Sequence, residues 1–320
     1  MSQRSMSDLT PKQAESQPDA APPSLTAPPQ PSYARVLFWG PDGLRSGWGF
    51  AFYLIAYYIL QVLAVELISR LPLGNLRSTV ADEFASFVAA VIPALILSRI
   101  EHRSWGAYGL PPGRAFGKLF WIGCLWGFAG ISLLIVVLYG FHAFSYGHLY
   151  IHGLRIARFA FFWGVMFLTV GFFEEFLLRG YTQFTLARGI GFWPAAIVLS
   201  VAFGLIHLNN SGESWPGVLA AAAIGFFFCL TLRRTGNLWF AVGFHAAWDW
   251  GESFFYSVPD SGMLSPGHLL SSSFHGPVWL TGGSVGPEGS ALCFVVIGIL
   301  WIAFSQVYRD RALSPDMGRR

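Results

Sequence analysis

The sequence predicts an all-α fold, a polytopic bundle of about eight transmembrane helices. Of its 320 residues 54% are hydrophobic and only 12% are charged, whereas a soluble domain carries about 25% charged residues. The mean hydropathy is +0.51. Apolar runs recur at about the 20 residues that a helix needs to cross the hydrocarbon core of a bilayer. A soluble protein of this composition would lack the polar residues to cover its surface, so we expect the lipid bilayer to surround the chain.

The apolar runs define the order of the predicted helices. Two of them are short for a membrane span, and the Ser/Gly/Pro-rich stretch before the last run is predicted to be an irregular extramembrane loop. The 36 glycines fit close helix packing in lipid, where small residues let backbones approach. The eight runs are 47–69, 83–99, 118–141, 158–188, 193–208, 216–232, 237–256 and 290–308.

The two ends of the chain are predicted to be tails. Residues 1–34 are rich in Pro, Ser and Ala, which predicts a disordered segment, and they lack the apolar centre of a signal peptide. The transmembrane domain is expected to span 35–310, and residues 311–320 form a short second tail. The three cysteines are scattered singly through apolar runs, which indicates neither a disulfide framework nor a cysteine metal site.

The basic residues divide unequally between the two sides of the predicted bundle. The formal net charge of +3 is too small to indicate nucleic-acid binding. With eight alternating helices, fifteen lysines and arginines fall on the side of both termini, and four fall on the other side: Arg70, Arg77, Arg155 and Arg158. Basic loops stay in the cytoplasm, so both termini are predicted to be cytoplasmic. The membrane is expected to be the inner (plasma) membrane of a bacterium.

Ionisable residues inside a membrane helix are costly and are functional candidates by default. In the fourth run, Glu175 and Arg179 are four residues apart and therefore face the same way. Glu174 lies about 100° around the helix and has no such partner. We therefore predict that Glu175 neutralises Arg179, which leaves Glu174 free to face the interior of the bundle.

Two histidines lie in later apolar runs. His207 follows Phe203 by one turn, and His245 precedes Asp249 by one turn, so each pair shares a helix face. Counted from the turn at Ile190, Glu174 and His207 should reach a common depth. His245 is only about ten residues into its helix, so we expect it to be the member most easily off that level. Glu66, Glu252, His142 and His152 lie at or beyond helix ends and are interpreted as interfacial.

This residue set permits two kinds of peptide hydrolysis. A glutamate and a histidine can activate a water, while a second histidine stabilises the oxyanion. The same set of Glu174, His207, His245 and Asp249 could instead bind zinc and use metal-bound water. The sequence lacks the His-Glu-x-x-His segment of a zincin and the Gly-x-Ser-x-Gly of a serine hydrolase.

Three ordered motifs resemble the CPBP family of intramembrane proteases, which includes CAAX prenyl endopeptidases and bacterial Abi or bacteriocin-immunity proteins. The motifs are Glu174-Glu175-x-x-x-Arg179, Phe203-x-x-x-His207 and His245-x-x-x-Asp249, and the resemblance covers roughly 100–256. It implies a membrane endopeptidase, of glutamate type or metallo type, that acts on a peptide or lipidated protein in the membrane. It also implies that Glu174 and His207 activate water and that His245 with Asp249 holds the oxyanion or a metal. The predicted catalytic residues are Glu174, Glu175, Arg179, His207, His245 and Asp249.

The same resemblance leaves the role of position 249 open. Members of the family often carry Asn there, whereas this chain has Asp249, which accepts hydrogen bonds when ionised and does not donate them. This favours an orienting or metal-ligating role for Asp249. The alternative functions are a non-enzymatic scaffold or immunity-type protein of the same fold and, with less support, a proton-coupled transporter, since repeats and broken helices typical of transporters are not seen.

The charge asymmetry gives the first testable prediction. Reporters fused to the N terminus and to the C terminus should both read as cytoplasmic, because the fifteen basic residues lie on that side. An alkaline phosphatase signal from a C-terminal fusion would show that the number of membrane crossings is odd and that the helix count is wrong.

Overall fold

The chain is almost entirely helical over the residues that the computed structural model describes, namely 32–40, 43–210 and 212–309, with the side chains of 75–78 excepted. Residues 1–31 of the predicted N-terminal tail and all of the predicted C-terminal tail lie outside these ranges. The helices are α1 Tyr33–Phe38, α2 Ser46–Ser69, α3 Asn75–Ile100, α4 Lys118–Gly140, α5 Leu154–Arg179, α6 Tyr181–Ile190, α7 Phe192–Ile206, α8 Trp215–Thr235, α9 Trp239–Asp249, α10 Val278–Thr281 and α11 Ala291–Val307.

Short elements connect the helices. Within the described residues, strands are confined to two antiparallel pairs, β1 with β2 and β3 with β4. The strands are β1 Trp39–Gly40, β2 Gly43–Leu44, β3 Phe144–Ser145 and β4 Ser273–Phe274. Single 3-10 turns lie at Trp105–Tyr108, Pro112–Arg114, His207–Asn209 and Pro287–Gly289, and α9 continues into a π-helical turn at Trp250–Phe255.

All eight predicted apolar runs are helices, and the predicted all-α membrane fold is confirmed. Six of the helical segments are long and apolar enough to cross a membrane: α2, α3, α4, the continuous stretch of α5 and α6, α7 with its 3-10 turn, and α8. The other two, α9 and α11, are shorter. The fourth run is broken at Gly180, where a side chain would overlap the carbonyl oxygen of Phe176.

Large apolar side chains cover the outer surface of these helices. On α2, Ile55, Leu63 and Leu67 are each more than half exposed, and Val136 and Phe161 are examples on α4 and α5. Monomeric soluble proteins rarely expose contiguous apolar patches of this extent. The chain is therefore an integral membrane protein, whose outer face suits contact with lipid.

Helix α9 forms the buried centre of the bundle, where it packs closely against α4. A methyl group added to Gly123 would overlap the carbonyl oxygen of Phe240, and one added to Gly127 would overlap that of Phe244. On the α9 side, a methyl group on Gly243 would overlap the carbonyl oxygen of Phe120. The two backbones can approach to this distance only because glycine occupies all three positions.

The loops predicted to share the cytoplasmic side do lie on one face of the bundle. The Glu101 carboxylate at the end of α3 pairs with Arg188 at 3.0 Å and with Arg103 at 3.4 Å. The turn between α8 and α9 joins the same face, because the amide of Leu238 donates to the carbonyl oxygen of Gly109 at 2.7 Å. Residues from three connecting segments, after α3, α6 and α8, therefore meet on this face.

A longer segment closes the opposite face. Strand β4 pairs with β3, and the segment around Leu270 forms a bridge to Leu149. Residues 260–266 of this segment then pass over the end of the bundle and line its internal cavity. The predicted irregular loop 257–289 is thus largely without long helices, but it is tied to the helices and forms part of the cavity wall.

The contact between α4 and α9 yields a second prediction. Gly127→Ala should lower the thermal unfolding midpoint in detergent, because the added methyl group meets backbone that cannot rotate away; overpacking of this kind costs about 1–3 kcal/mol. The matched control is Gly298→Ala in α11, where no atom lies within 4 Å of the added group. Equal midpoints for the two variants would contradict the close packing of α4 with α9.

Candidate active site

A cavity of about 380 Å³ lies inside the bundle, and all four residues predicted to form the site line it. Glu174 comes from α5, His207 from the 3-10 turn after α7, and His245 and Asp249 from α9. The predicted convergence of these helices around one polar cavity is therefore seen in the structure. Elsewhere the wall is largely apolar, with Trp163, Met166, Phe167, Phe228 and Ile297 among its residues.

The predicted ion pair of Glu175 with Arg179 is present and completely buried. Glu175 Oε1 lies 3.1 Å from Arg179 Nη1, and both side chains have 0% exposure. The guanidinium carbon lies 4.4 Å from the centre of the Phe203 ring, an arrangement in which the ring attracts the cation. The pair therefore neutralises a charge that would be very costly without its partner in this environment.

His245 is the residue on which the site converges. Its Nδ1 lies 3.1 Å from Glu175 Oε1, and its Nε2 lies 3.4 Å from Glu174 Oε2 and 3.5 Å from Asp249 Oδ2. An ionised carboxylate only accepts hydrogen bonds, so Nδ1–H donates to Glu175. This contact fixes the ring and directs Nε2 towards Glu174 and Asp249.

The second histidine is held by the backbone. His207 Nδ1 lies 2.8 Å from the carbonyl oxygen of Phe203; because a carbonyl only accepts, Nδ1 carries the hydrogen. In the neutral ring Nε2 is then the acceptor. The Phe203 ring contacts both histidines, with ring centres 4.6 Å from His207 and 6.3 Å from His245, so it fixes the spacing between them.

The expectation that His245 would lie at a different depth from Glu174 and His207 is wrong. Helix α9 begins inside the protein: Asn237 and Leu238 are fully buried, and the Trp239 indole donates to the carbonyl oxygen of Pro111 at 3.2 Å. The loop after α3 therefore covers the start of α9 and allows it to begin below the surface. Ten residues then suffice to bring His245 level with Glu174.

The acids Glu83, Asp260 and Glu288 also line the cavity, and sequence reasoning missed all three. Glu83 stands at the first position of the second apolar run, where a charge near a helix start is usually interfacial. Asp260 and Glu288 lie in or at the end of the predicted extramembrane loop, where acids are common. Only the fold turns them towards the site.

The interfacial interpretation of Glu252 is wrong. Its side chain lies in the π-helical turn after α9 and has 0% exposure. Neither carboxylate oxygen has a hydrogen-bond partner in the part of the chain that the structure describes. The widened turn rotates it inwards, and such turns are frequent at functional sites. Nearby Asp260, in the loop, is half-buried. Its partial removal from solvent, together with the charge of Glu288, raises the pKa of Asp260 to about 8.

The predicted zinc ligands do not fit a metal centre as they stand. In the described part of the chain, Glu252, Asp260 and Glu288 form a group of possible metal ligands. One oxygen of each lies within 4.8 Å of the others. The set of Glu174, His207, His245 and Asp249 does not converge in this way. Both ring nitrogens of His245 already face carboxylates, so neither is free to bind zinc in this arrangement.

The fold and cavity define a helical membrane protein with a buried set of acids and histidines suited to hydrolysis. Residues 156–251 match the family model described as type II CAAX prenyl endopeptidase Rce1-like, so this part of the chain is similar to that membrane-protease family. This confirms the resemblance drawn from the three motifs, all of which lie within the matched range. No curated protein and no solved structure matches the chain.

The different surroundings of the two adjacent carboxylates give a third prediction. Glu175→Gln should lower the folded yield and the unfolding midpoint, because it leaves Arg179 uncompensated and weakens the contact with His245; breaking a buried pair costs about 3–5 kcal/mol. Glu174→Gln should unfold close to the wild-type midpoint, since the Glu174 side chain is 23% exposed and faces the cavity. Similar losses in both variants would refute this division of roles.

Proposed function

We propose that the protein is an intramembrane endopeptidase that hydrolyses a peptide bond in a membrane-associated protein, with water activated by Glu174 and His207. The proposal rests on one observation: the fully buried carboxylate of Glu175 contacts both Arg179 and His245 Nδ1. Glu174 is thereby left at the cavity wall, where its Oε2 lies 3.4 Å from His245 Nε2.

Glu174 is suited to act as the general base. Its carboxylate borders a cavity that can hold water, and Arg179, the nearby permanent cation, is occupied by Glu175. His207 presents its Nε2 acceptor from the facing helix, so two acceptors can share one nucleophilic water.

His245 is suited to stabilise the oxyanion. Held by Glu175, it directs Nε2 into the cavity, where a proton on this nitrogen can be donated to a developing negative charge. Asp249 cannot donate a hydrogen bond when it is ionised. We propose that Asp249 orients the His245 ring and compensates the positive charge of the protonated ring. Asn210 lines the same cavity, and its amide is a candidate second donor.

The reaction balances with these groups alone. Glu174 takes a proton from water as the oxygen bonds to the scissile carbonyl carbon, and the carbonyl π-electrons move to the oxygen facing His245. When the tetrahedral intermediate collapses, the C–N bond breaks and the proton held by Glu174 passes to the leaving nitrogen. The products are a carboxylic acid and an amine, and the site returns to its starting protonation state.

The shape of the cavity suits an apolar substrate. Trp163, Met166 and Phe167 on one wall, with Met263 and Leu264 in the covering segment, offer contacts for aliphatic or prenyl chains. We propose a peptide or a lipidated protein presented from the bilayer as the substrate, which agrees with the CAAX prenyl description of the matched family.

We propose a bacterial inner membrane with both termini cytoplasmic as the setting. The loops that carry the basic excess meet on one face, as the contacts of Glu101 and Leu238 indicate. The cavity-covering segment lies on the opposite face. This orientation rests on the positive-inside rule.

The decisive experiment is cleavage of a peptide library, with prenylated CAAX peptides included, by the purified full chain in proteoliposomes. Glu174→Gln should reduce the rate at least about 100-fold, because loss of a general base costs about 10²–10⁴-fold. Glu66→Gln, at an exposed ion pair far along α2, should retain full activity. Zinc content should stay well below one ion per chain in the active protein.

Each other outcome has a definite meaning. Stoichiometric zinc that is lost in Glu174→Gln would replace the glutamate mechanism by a metallo mechanism. A folded wild type that cleaves nothing, with Glu174→Gln indistinguishable from it in cells, would overturn the protease assignment in favour of a non-enzymatic scaffold or immunity-type protein.

A further inference from the structure

A second group of carboxylates lies apart from the proposed catalytic set. Glu252 comes from the π-helical turn, Asp260 from the segment over the cavity and Glu288 from the 3-10 turn before α11. One oxygen of each lies within 4.8 Å of the others. A helical turn, the loop that follows it and a turn nearly thirty residues further on therefore bring three acidic side chains to one point.

Two members of this group are held by neutral donors. The Ser253 hydroxyl donates to Asp260 Oδ2 at 3.1 Å. The Trp248 indole donates to Glu288 Oε1 at 3.1 Å, and the Ser261 hydroxyl donates to Glu288 Oε2 at 3.0 Å. These bonds fix the direction of both carboxylates but supply no positive charge.

Glu252 has no such partner. It is completely buried, and among the described residues neither of its oxygens accepts a hydrogen bond. The arginines Arg70, Arg103, Arg179 and Arg188 pair with Glu66, Glu101 and Glu175 instead. A buried carboxylate without a partner is strongly unfavourable, and protonation alone would remove its charge without giving it a hydrogen bond.

We infer that Glu252, Asp260 and Glu288 form a binding site for a hard divalent cation of the calcium and magnesium class. The donors are all carboxylate oxygens, the ligands that these ions prefer. Two oxygens bound to one calcium ion at 2.3–2.6 Å can be up to about 5 Å apart, whereas magnesium at 2.0–2.1 Å allows only about 4.2 Å. Oxygens that all lie within 4.8 Å of one another can therefore bind one calcium ion without moving.

A cation at this point would join the covering segment to the helices. Asp260 begins the stretch 260–266 that lines the cavity, and the amide of Gly262 bonds to the carbonyl oxygen of Val285, close in sequence to Glu288. Occupancy would hold the stretch in place over the cavity, and release of the cation would loosen it. The site is thus placed to control access to the cavity whatever reaction occurs there.

The test is titration of the full chain in detergent, after removal of metals with a chelator, with calcium, magnesium and zinc chlorides. Isothermal calorimetry should show one calcium ion per chain, and terbium bound at the same site should luminesce on excitation of the tryptophans, since Trp248 contacts Glu288. Glu252→Gln should raise the calcium dissociation constant at least about tenfold, because ligand charge sets affinity.

Two matched variants separate this site from its surroundings. Glu213→Gln removes one negative charge on the same face, but its carboxylate bonds to the amide of Ser214 and lies outside the group. Glu174→Gln removes an acid of the proposed catalytic set. Both should bind calcium within about twofold of wild type, as expected when no ligand is lost.

Hydrogen exchange gives a measurement that does not depend on any variant folding. In the wild type, saturating calcium should slow exchange at Gly262 and Met263, whose amides bond to Val285 and Asp260, at least about tenfold relative to the chelated protein. The inference is overturned if millimolar calcium neither binds nor changes this exchange, or if Glu252→Gln and Asp260→Asn both bind as tightly as wild type.

Discussion

The arrangement of the site depends on one buried oxygen atom, Glu175 Oε1. It lies 3.1 Å from both Arg179 Nη1 and His245 Nδ1, and so it joins the cation of α5 to the imidazole of α9. Interactions between charges are far stronger in such an environment than in water, and an unpaired partner is correspondingly costly. Because Glu175 pairs with both Arg179 and His245, Glu174 is free to face the cavity, and the His245 ring has a fixed orientation there.

Backbone packing makes that contact attainable. Helix α9 can lie against α4 only because Gly123, Gly127 and Gly243 leave room for carbonyl oxygens. The amide of Leu238, at the start of α9, bonds to the loop after α3, so the helix is buried from its first turn. Small residues at helix contacts thus determine the depth of His245, and with it the distance from His245 to the two glutamates.

Two groups of acids lie in or beside the cavity wall, and they are stabilised in two different ways. Glu174, Glu175 and Asp249 surround His245, and Glu175 also pairs with Arg179. In the second group, Asp260 and Glu288 accept hydrogen bonds from neutral hydroxyl and indole groups. The first arrangement suits proton transfer by side chains, and the second calls for a cation from outside the chain.

The sequence by itself determined the membrane class, the eight apolar helices and the pairing of Glu175 with Arg179. It also determined the candidate site residues Glu174, His207, His245 and Asp249. The physical reasons are helix periodicity and the cost of charge in lipid. These are local properties, readable within one helix. Only the tertiary structure decided the level of His245, its contact with Glu175 and the entry of Glu83, Asp260 and Glu288 into the cavity wall. Those depend on where α9 begins and where the segment 260–266 passes, which are set by contacts between residues far apart in the chain.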